Sequence, residues 1–498
     1  MCLIVLFVTF EFLLKRKDLY GTAFAEVCDV MDEDIAEYAL KVASRLGAGY
    51  ADVRLESKEI NDIVLKNGIV DVASHILKEG IGIRIITRQG VGFSSTNVLD
   101  RDHVKQTVTE AFRQAEACKR KAPPELSEEK TVKATWSVPE RVRLSNVGLE
   151  QKLDDLCSVD ETIVSVGNIP ARIFLFADKQ TKKLYLNSEG TRIQGYLPIV
   201  ICMFFLTVKC GSQVEQTARR FGYAGGWEGF EQFKMAEDAE QEVTMLQTLM
   251  KEGKKSPRGT MDLLVGSDMV GIVCHESCGH PSEADRILGR EASQAGVSFM
   301  NEELLGTRVG SEEVTVAEDP TLEHSFGYYA YDDEGVKARR RLLFKDGLIN
   351  EFLHNRETAA RMGENSNAAA RSASYDREAI VRMANTFLLP GDCSTEELVE
   401  DIKRGVYMKS YTEWNIDDKR YNQKYIGRES YLIEHGEIKH MVKRPVLEVT
   451  TPAFWKAVDA RGKEVDFRAG NCGKGDPIQE MEVLYGGPTV RLRAIPMR

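Results

Sequence analysis

Residues 63 to 70 read Ile63-Val-Leu-Lys-Asn-Gly-Ile-Val70. Asn67-Gly68 between two apolar runs is the strongest short hairpin signal a sequence offers, because a two-residue turn of type I′ needs positive φ at both central positions. Around it, from residue 50 to residue 97, apolar side chains alternate, so several strands are expected. Upstream, Asp32, Glu33 and Asp34 precede a periodic set at Ile35, Tyr38, Ala39, Val42, Ala43 and Leu46 that stops at Gly47. This is the pattern of a capped amphipathic helix. Downstream, residues 100 to 120 and 144 to 164 read as helices, and residues 172 to 210 as three strands turning near Asp178-Lys179 and Gly190. Within that stretch the apolar run 199 to 208 is too short to cross a bilayer and reads as a buried strand. The fold class is therefore α+β.

Residues 227 to 251 read as helical, and Glu252-Gly-Lys-Lys-Ser-Pro-Arg-Gly259 is the best linker candidate. The expected organisation is an N-terminal α+β domain over 31–252, then a strand-rich C-terminal domain over 253–498 with turn signals at Asp346-Gly347 and His435-Gly436. Residues 1–30 form an expected N-terminal extension. Their apolar run precedes Lys15, Arg16 and Lys17, the reverse of a secretory signal, and it is too short to span a membrane.

The charge balance of 66 basic against 77 acidic residues, net −11, argues against a broad basic face for nucleic acid or anionic lipid. Neither is an expected partner. Ten cysteines in 498 residues with no Cys-x-x-Cys pair imply reduced thiols and a cytoplasmic setting.

The chemistry is concentrated at His275-Glu-Ser-Cys-Gly-His-Pro281. A strand over 261–265 and a short helix through Met269, Val270, Ile272 and Val273 lead into it. Five residues are about 140° around a regular helix, so two imidazoles at this spacing cannot share a metal unless the helix bends or carries a π-bulge. Gly279 can end the helix, and Pro281 suits the start of a second one over 282–288. Two histidines with a glutamate after the first is the logic of zinc hydrolases, in which the carboxylate takes a proton from an activated water. A catalytic zinc needs a third protein donor. The candidates are Glu283, Asp285, Cys278, His354 and Cys472; Cys472 is preferred because the glycines of Arg468-Ala-Gly-Asn-Cys-Gly-Lys-Gly475 free the backbone to approach another segment. As a second electrophile, His354, Arg371 and Tyr331 are the candidates.

The chain resembles the TldD/PmbA family of metallopeptidases, on its metal-bearing TldD side. The resemblance rests on Tyr50-Ala-Asp-Val-Arg54, Lys66-Asn-Gly68, Gly80-Ile-Gly-Ile-Arg84, the His275 to Pro281 string with Glu283-Ala-Asp285, Asp332-Asp-Glu-Gly335, Arg382-Met-Ala-Asn-Thr386 and Asn471-Cys-Gly-Lys474. It implies one zinc ion per chain on His275, His280 and Cys472, with Glu276 as the base. It also implies action on unfolded or unstructured peptides in a chamber formed by a dimer, either with a second copy or with a related subunit. A strand-rich domain with free edges can hold such a peptide by backbone pairing. Arg371, Arg382 and Asn385 are the expected wall residues. After Gly475 the sequence departs from the family pattern at Asp476-Pro477.

Two other readings compete. A dehydrogenase with a Cys/His zinc lacks support because no Gly-x-Gly-x-x-Gly follows a strand. A non-catalytic assembly partner would have no physical need of the intact donor set.

Overall fold

The computed structural model describes residues 31–120, 122–291 and 296–498. The expected extension, residues 1–30, lies outside the described residues. Helix α1 (Glu33–Leu46) begins where Asp32 accepts from the Ile35 N–H and ends at Gly47, whose φ of 90° is left-handed. Strands β1 (Tyr50–Lys66) and β2 (Ile69–Ile86) then form one long hairpin. Leu65 pairs with Val70 and Lys66 with Ile69, leaving Asn67 and Gly68, at φ 50° and 80°, as its two-residue turn.

With β3 (Val91–Thr96), β4 (Lys133–Ser137), β5 (Ala171–Asn187), β6 (Arg192–Cys210) and β7 (Gln213–Ala224) these strands make a seven-stranded sheet in the order β3-β2-β1-β5-β6-β4, with β7 on β6. Helices α1 and α2 (Arg101–Ala117) bury Val42, Val104 and Val108 against Val53, Ile83 and Ile85. Helices α3 (Leu149–Val164) and α4 (Met235–Glu252) bury Leu156, Ile163, Val243 and Leu246 against Phe174, Phe204 and Leu206.

Two local expectations are corrected. Strand β5 runs unbroken through Asp178 and Lys179, so residues 172 to 210 hold two strands rather than three. The charges that read as a turn are neutralised within the structure: buried Asp178 takes the Lys152 ammonium at 2.6 Å, and Lys179 pairs with Glu482. The helix expected over 227–251 is broken at Lys234, where φ is 45°.

A second, fourteen-stranded sheet follows residue 253. Strand β8 (Gly259–Val265) lies between the parallel β9 (Arg404–Met408) and the antiparallel β12 (Gln479–Met497). At one margin, β10 (Tyr411–Ile416) pairs only with the strand Asn422–Gly427 among the described residues, and β11 (Val458–Lys474) pairs with β12. Helix α5 (Ser267–Cys274) crosses this sheet with Met269, Val270, Ile272 and Val273 all buried. It delivers the histidine string to the core. No helix among the described residues is long and apolar enough to cross a membrane.

Candidate metal centre

The chain does bend where the spacing requires it. After α5, residues His275–Gly279 form one π-helical turn in which the His280 N–H reaches the His275 carbonyl, an i to i+5 bond, and His280–Ser282 continue as a 3₁₀ turn. Ser277 and Ser282 help hold the widened turn by donating back to the carbonyls of Val273, at 2.6 Å, and Cys278, at 2.7 Å. The two imidazoles, five residues apart, stand edge to face with ring centres 4.8 Å apart.

Cys472 reaches them from β11, where it pairs with Met481 of β12. The glycine-rich segment expected to bring the thiol close to another segment does so as regular strand. Its glycines serve close packing instead: a Cβ at Gly470 would stand 2.8 Å from the Tyr485 ring, and one at Gly473 would stand 2.7 Å from Ile478.

The candidate ligand atoms of His275, His280 and Cys472 all lie within 4.8 Å of one another, and all three residues are buried. Cys472 Sγ is 3.3 Å from His280 Nε2, close to the roughly 3.5 Å edge of a tetrahedron built on zinc–sulfur and zinc–nitrogen bonds. On the far side of the His280 ring, Nδ1 faces Glu283 Oε2 at 2.9 Å, which leaves Nε2 as the free donor. His275 Nδ1 is buried without a hydrogen-bond partner. An orphaned nitrogen beside a thiol and a second imidazole fits a soft divalent metal such as zinc.

The charges are arranged accordingly. Burial pushes the Cys472 thiol up, but His280 and Arg382 outweigh it and bring it down to about 7. Burial holds His275 below the ordinary imidazole value, favouring the neutral ring that a metal needs. For Glu283, burial is overcome by Lys474, His280 and Arg286, and its carboxyl lies well below the usual range.

The other third-donor candidates are elsewhere. Cys278 is packed in the apolar core. Glu283 braces His280, and Asp285 takes the Lys474 ammonium at 2.7 Å. His354 faces Thr358, with burial lowering it to about 4.

Glu276 does not join the ligand atoms. Its carboxylate accepts from the Arg420 guanidinium at 2.6 Å and from Trp414 Nε1 at 3.2 Å. Burial raises its carboxyl, but His280, Arg420 and His275 outweigh that and leave it below the ordinary value. Together with His275 it opens on a cavity of about 1480 Å³. Across the cavity stand β7 and α4, and beside it stand Tyr411, Trp414 and Tyr485.

Arg371, Arg382 and Asn385, expected on a substrate wall, turn their polar groups inward. Arg371 donates to the carbonyls of Met383 and Glu482, and Arg382 to those of Gln479 and Cys472. Asn385 is bonded to Gly327, Asp319 and Ser325. None of the three borders the large cavity, and neither do His354 and Tyr331. Sequence reasoning missed Trp414, Arg420 and Tyr485. Only the glutamate three residues after His280 carried a signal, as a brace for that ring.

His275 and Glu276 stand at the wall of the large cavity, and His275, His280 and Cys472 form a buried group that could hold a metal ion. Comparison with known proteins agrees. Residues 258–497 match the PmbA/TldA metallopeptidase C-terminal domain and residues 51–117 match PmbA/TldA metallopeptidase domain 1. The chain belongs to this TldD/PmbA family. A metalloprotease of Methanocaldococcus jannaschii is 30% identical over 464 residues, covering 91% of this chain and 98% of its own. A zinc metalloprotease TldD homolog of Saccharolobus solfataricus is 26% identical, covering 92% and 98%. In fold, the chain is similar to the crystal structure of TldE from Thermococcus kodakarensis, with TM-score 0.70 at 14% identity over 93% of this chain and 99% of that one.

Proposed function

We propose that the protein hydrolyses unfolded or unstructured peptides held as extended strands, with His275, His280 and Cys472 holding one zinc ion and Glu276 acting as the general base. The observation that carries this reading is that His275 and Glu276 open on a cavity also bordered by two strands, β7 and β10, each paired on one side only among the described residues. Gln216 to Arg220 of the first strand and Tyr411, Thr412 and Trp414 of the second line it. An extended peptide satisfies its backbone groups on such edges with little dependence on side chains.

A zinc ion held by the three donors would polarise the scissile carbonyl and acidify a water. Glu276 takes the water proton and returns it to the leaving amine. Glu283 fixes the His280 ring, and Arg382 anchors the Cys472 backbone. We assign the protein a second copy or a related subunit as partner. Exposed apolar side chains on both faces of the outer part of β2, Ile69, Val70, Val72 and Leu77, support this.

The test is Glu276→Gln. Fold and metal content should persist while cleavage of an unstructured peptide falls on the order of 10² to 10⁴. Cleavage at the wild-type rate would remove Glu276 as the base. Absence of cleavage by the wild-type chain, alone and with a related subunit, would overturn the peptidase reading in favour of a non-catalytic partner.

A further inference from the structure

The carboxylate of Glu276 is gripped on both oxygens by one hairpin. Trp414 lies on β10, and Arg420 lies in the turn between β10 and the strand Asn422–Gly427. Trp414 Nε1 donates to Oε1 at 3.2 Å and the Arg420 guanidinium to Oε2 at 2.6 Å. Both members of the ion pair are largely buried, with 13% and 9% of their side chains exposed.

The turn that presents Arg420 is over-determined. Asp417 accepts from the backbone N–H groups of Tyr421 and Asn422 at 2.8 and 3.1 Å and from the Asn422 amide at 2.7 Å. Thr451 holds the Arg420 carbonyl at 2.7 Å. Arg420 itself sits at φ 63°, a left-handed conformation unfavourable for a long side chain, and its Nε is buried without a hydrogen-bond partner. A strained backbone and an unsatisfied donor at one residue persist when the surroundings impose them, and such residues cluster at functional sites.

We infer that Arg420 and Trp414 are positioning residues that fix the Glu276 carboxylate in its proton-accepting pose, so that the hairpin whose free edge borders the substrate cavity also sets the geometry of the base. This rests on the peptidase reading of the site. One hydrogen bond per oxygen fills two of about four acceptor positions on a carboxylate and leaves room for a water. Without the clamp, the side chain regains rotamer freedom at a point where a displacement of about 1 Å can cost 10²-fold in rate.

The experiment combines Arg420→Met, Arg420→Lys and Trp414→Phe with peptide kinetics and with melting of the metal-free protein, each also in the Glu276→Gln background. Arg420→Met should lower kcat roughly 10- to 100-fold with KM changed less than about twofold and metal content intact, and Arg420→Lys should restore part of it. Trp414→Phe should lower kcat less. In melting, Arg420→Met should lower Tm by more when Glu276 is present than in the Glu276→Gln background, because only the carboxylate is left as an unpaired buried charge. Wild-type kcat in Arg420→Met, or equal Tm losses in both backgrounds, would overturn the clamp. If no variant and no wild-type protein cleaves peptide, the peptidase reading fails, and the melting comparison still decides whether the clamp exists.

Discussion

Glu283 Oε2 lies 2.9 Å from His280 Nδ1 and also takes the Arg286 guanidinium at 2.6 Å, so the residue that aims one ring is itself held by a cation. Glu283→Gln removes the charge and keeps the size. The expected result is a 10- to 100-fold loss of metal affinity, read by chelator competition. Unchanged affinity would mean the ring is aimed by packing alone.

Removing a donor should empty the site. His280→Ala and Cys472→Ser are each expected to lower bound metal from about one ion per chain to a small fraction in elemental analysis. Full stoichiometry in both variants would dismiss the assigned ligands.

Helix α5 meets β12 through glycine. A Cβ on Gly271 would stand 2.9 Å from the Gly486 nitrogen and 3.0 Å from its Cα, contacts with backbone that cannot step aside. Gly271→Ala should destabilise by about 1–3 kcal/mol in denaturant unfolding and weaken metal binding, because the helix carries His275. A wild-type midpoint would show that the helix shifts without cost.

The bridge between Lys179 of β5 and Glu482 of β12 joins the two sheets. Burial opposes the Glu482 charge, but Lys179 and Lys58 prevail and hold its carboxyl at about 2 against an ordinary 4.5. A depressed carboxyl stabilises the fold above its unfolded value, and that contribution is lost as pH falls through 4.5 toward 2. Glu482→Gln should therefore lower Tm at neutral pH, with the difference from wild type shrinking over that interval. A difference independent of pH would rule out the ion pair as its source.

Local signals in the sequence were sufficient for the elements they govern. Asn67-Gly68 makes the hairpin turn, Asp32 and Gly47 bound the first helix, and the spacing of His275 and His280 demands the widened turn that the chain adopts. These depend on backbone conformation within a few residues. Where the sequence misled, a partner distant in the chain had changed the physics. Asp178 and Lys179 stay in a strand because Lys152 and Glu482 neutralise them, and Arg371, Arg382 and Asn385 are drawn inward by carbonyls of other segments.

The amino-acid sequence alone determined the α+β class and put two imidazoles and a carboxylate into one six-residue string, since strand alternation, caps and helix pitch are local properties. Only the tertiary structure decided that Cys472, and not Glu283 or Cys278, joins the ligand atoms of His275 and His280, and that Trp414 and Arg420 grip Glu276. The reason is that those meetings depend on how β11 and the β10 hairpin pack against the π-turn, and packing between segments so far apart in the chain leaves no periodic trace in it.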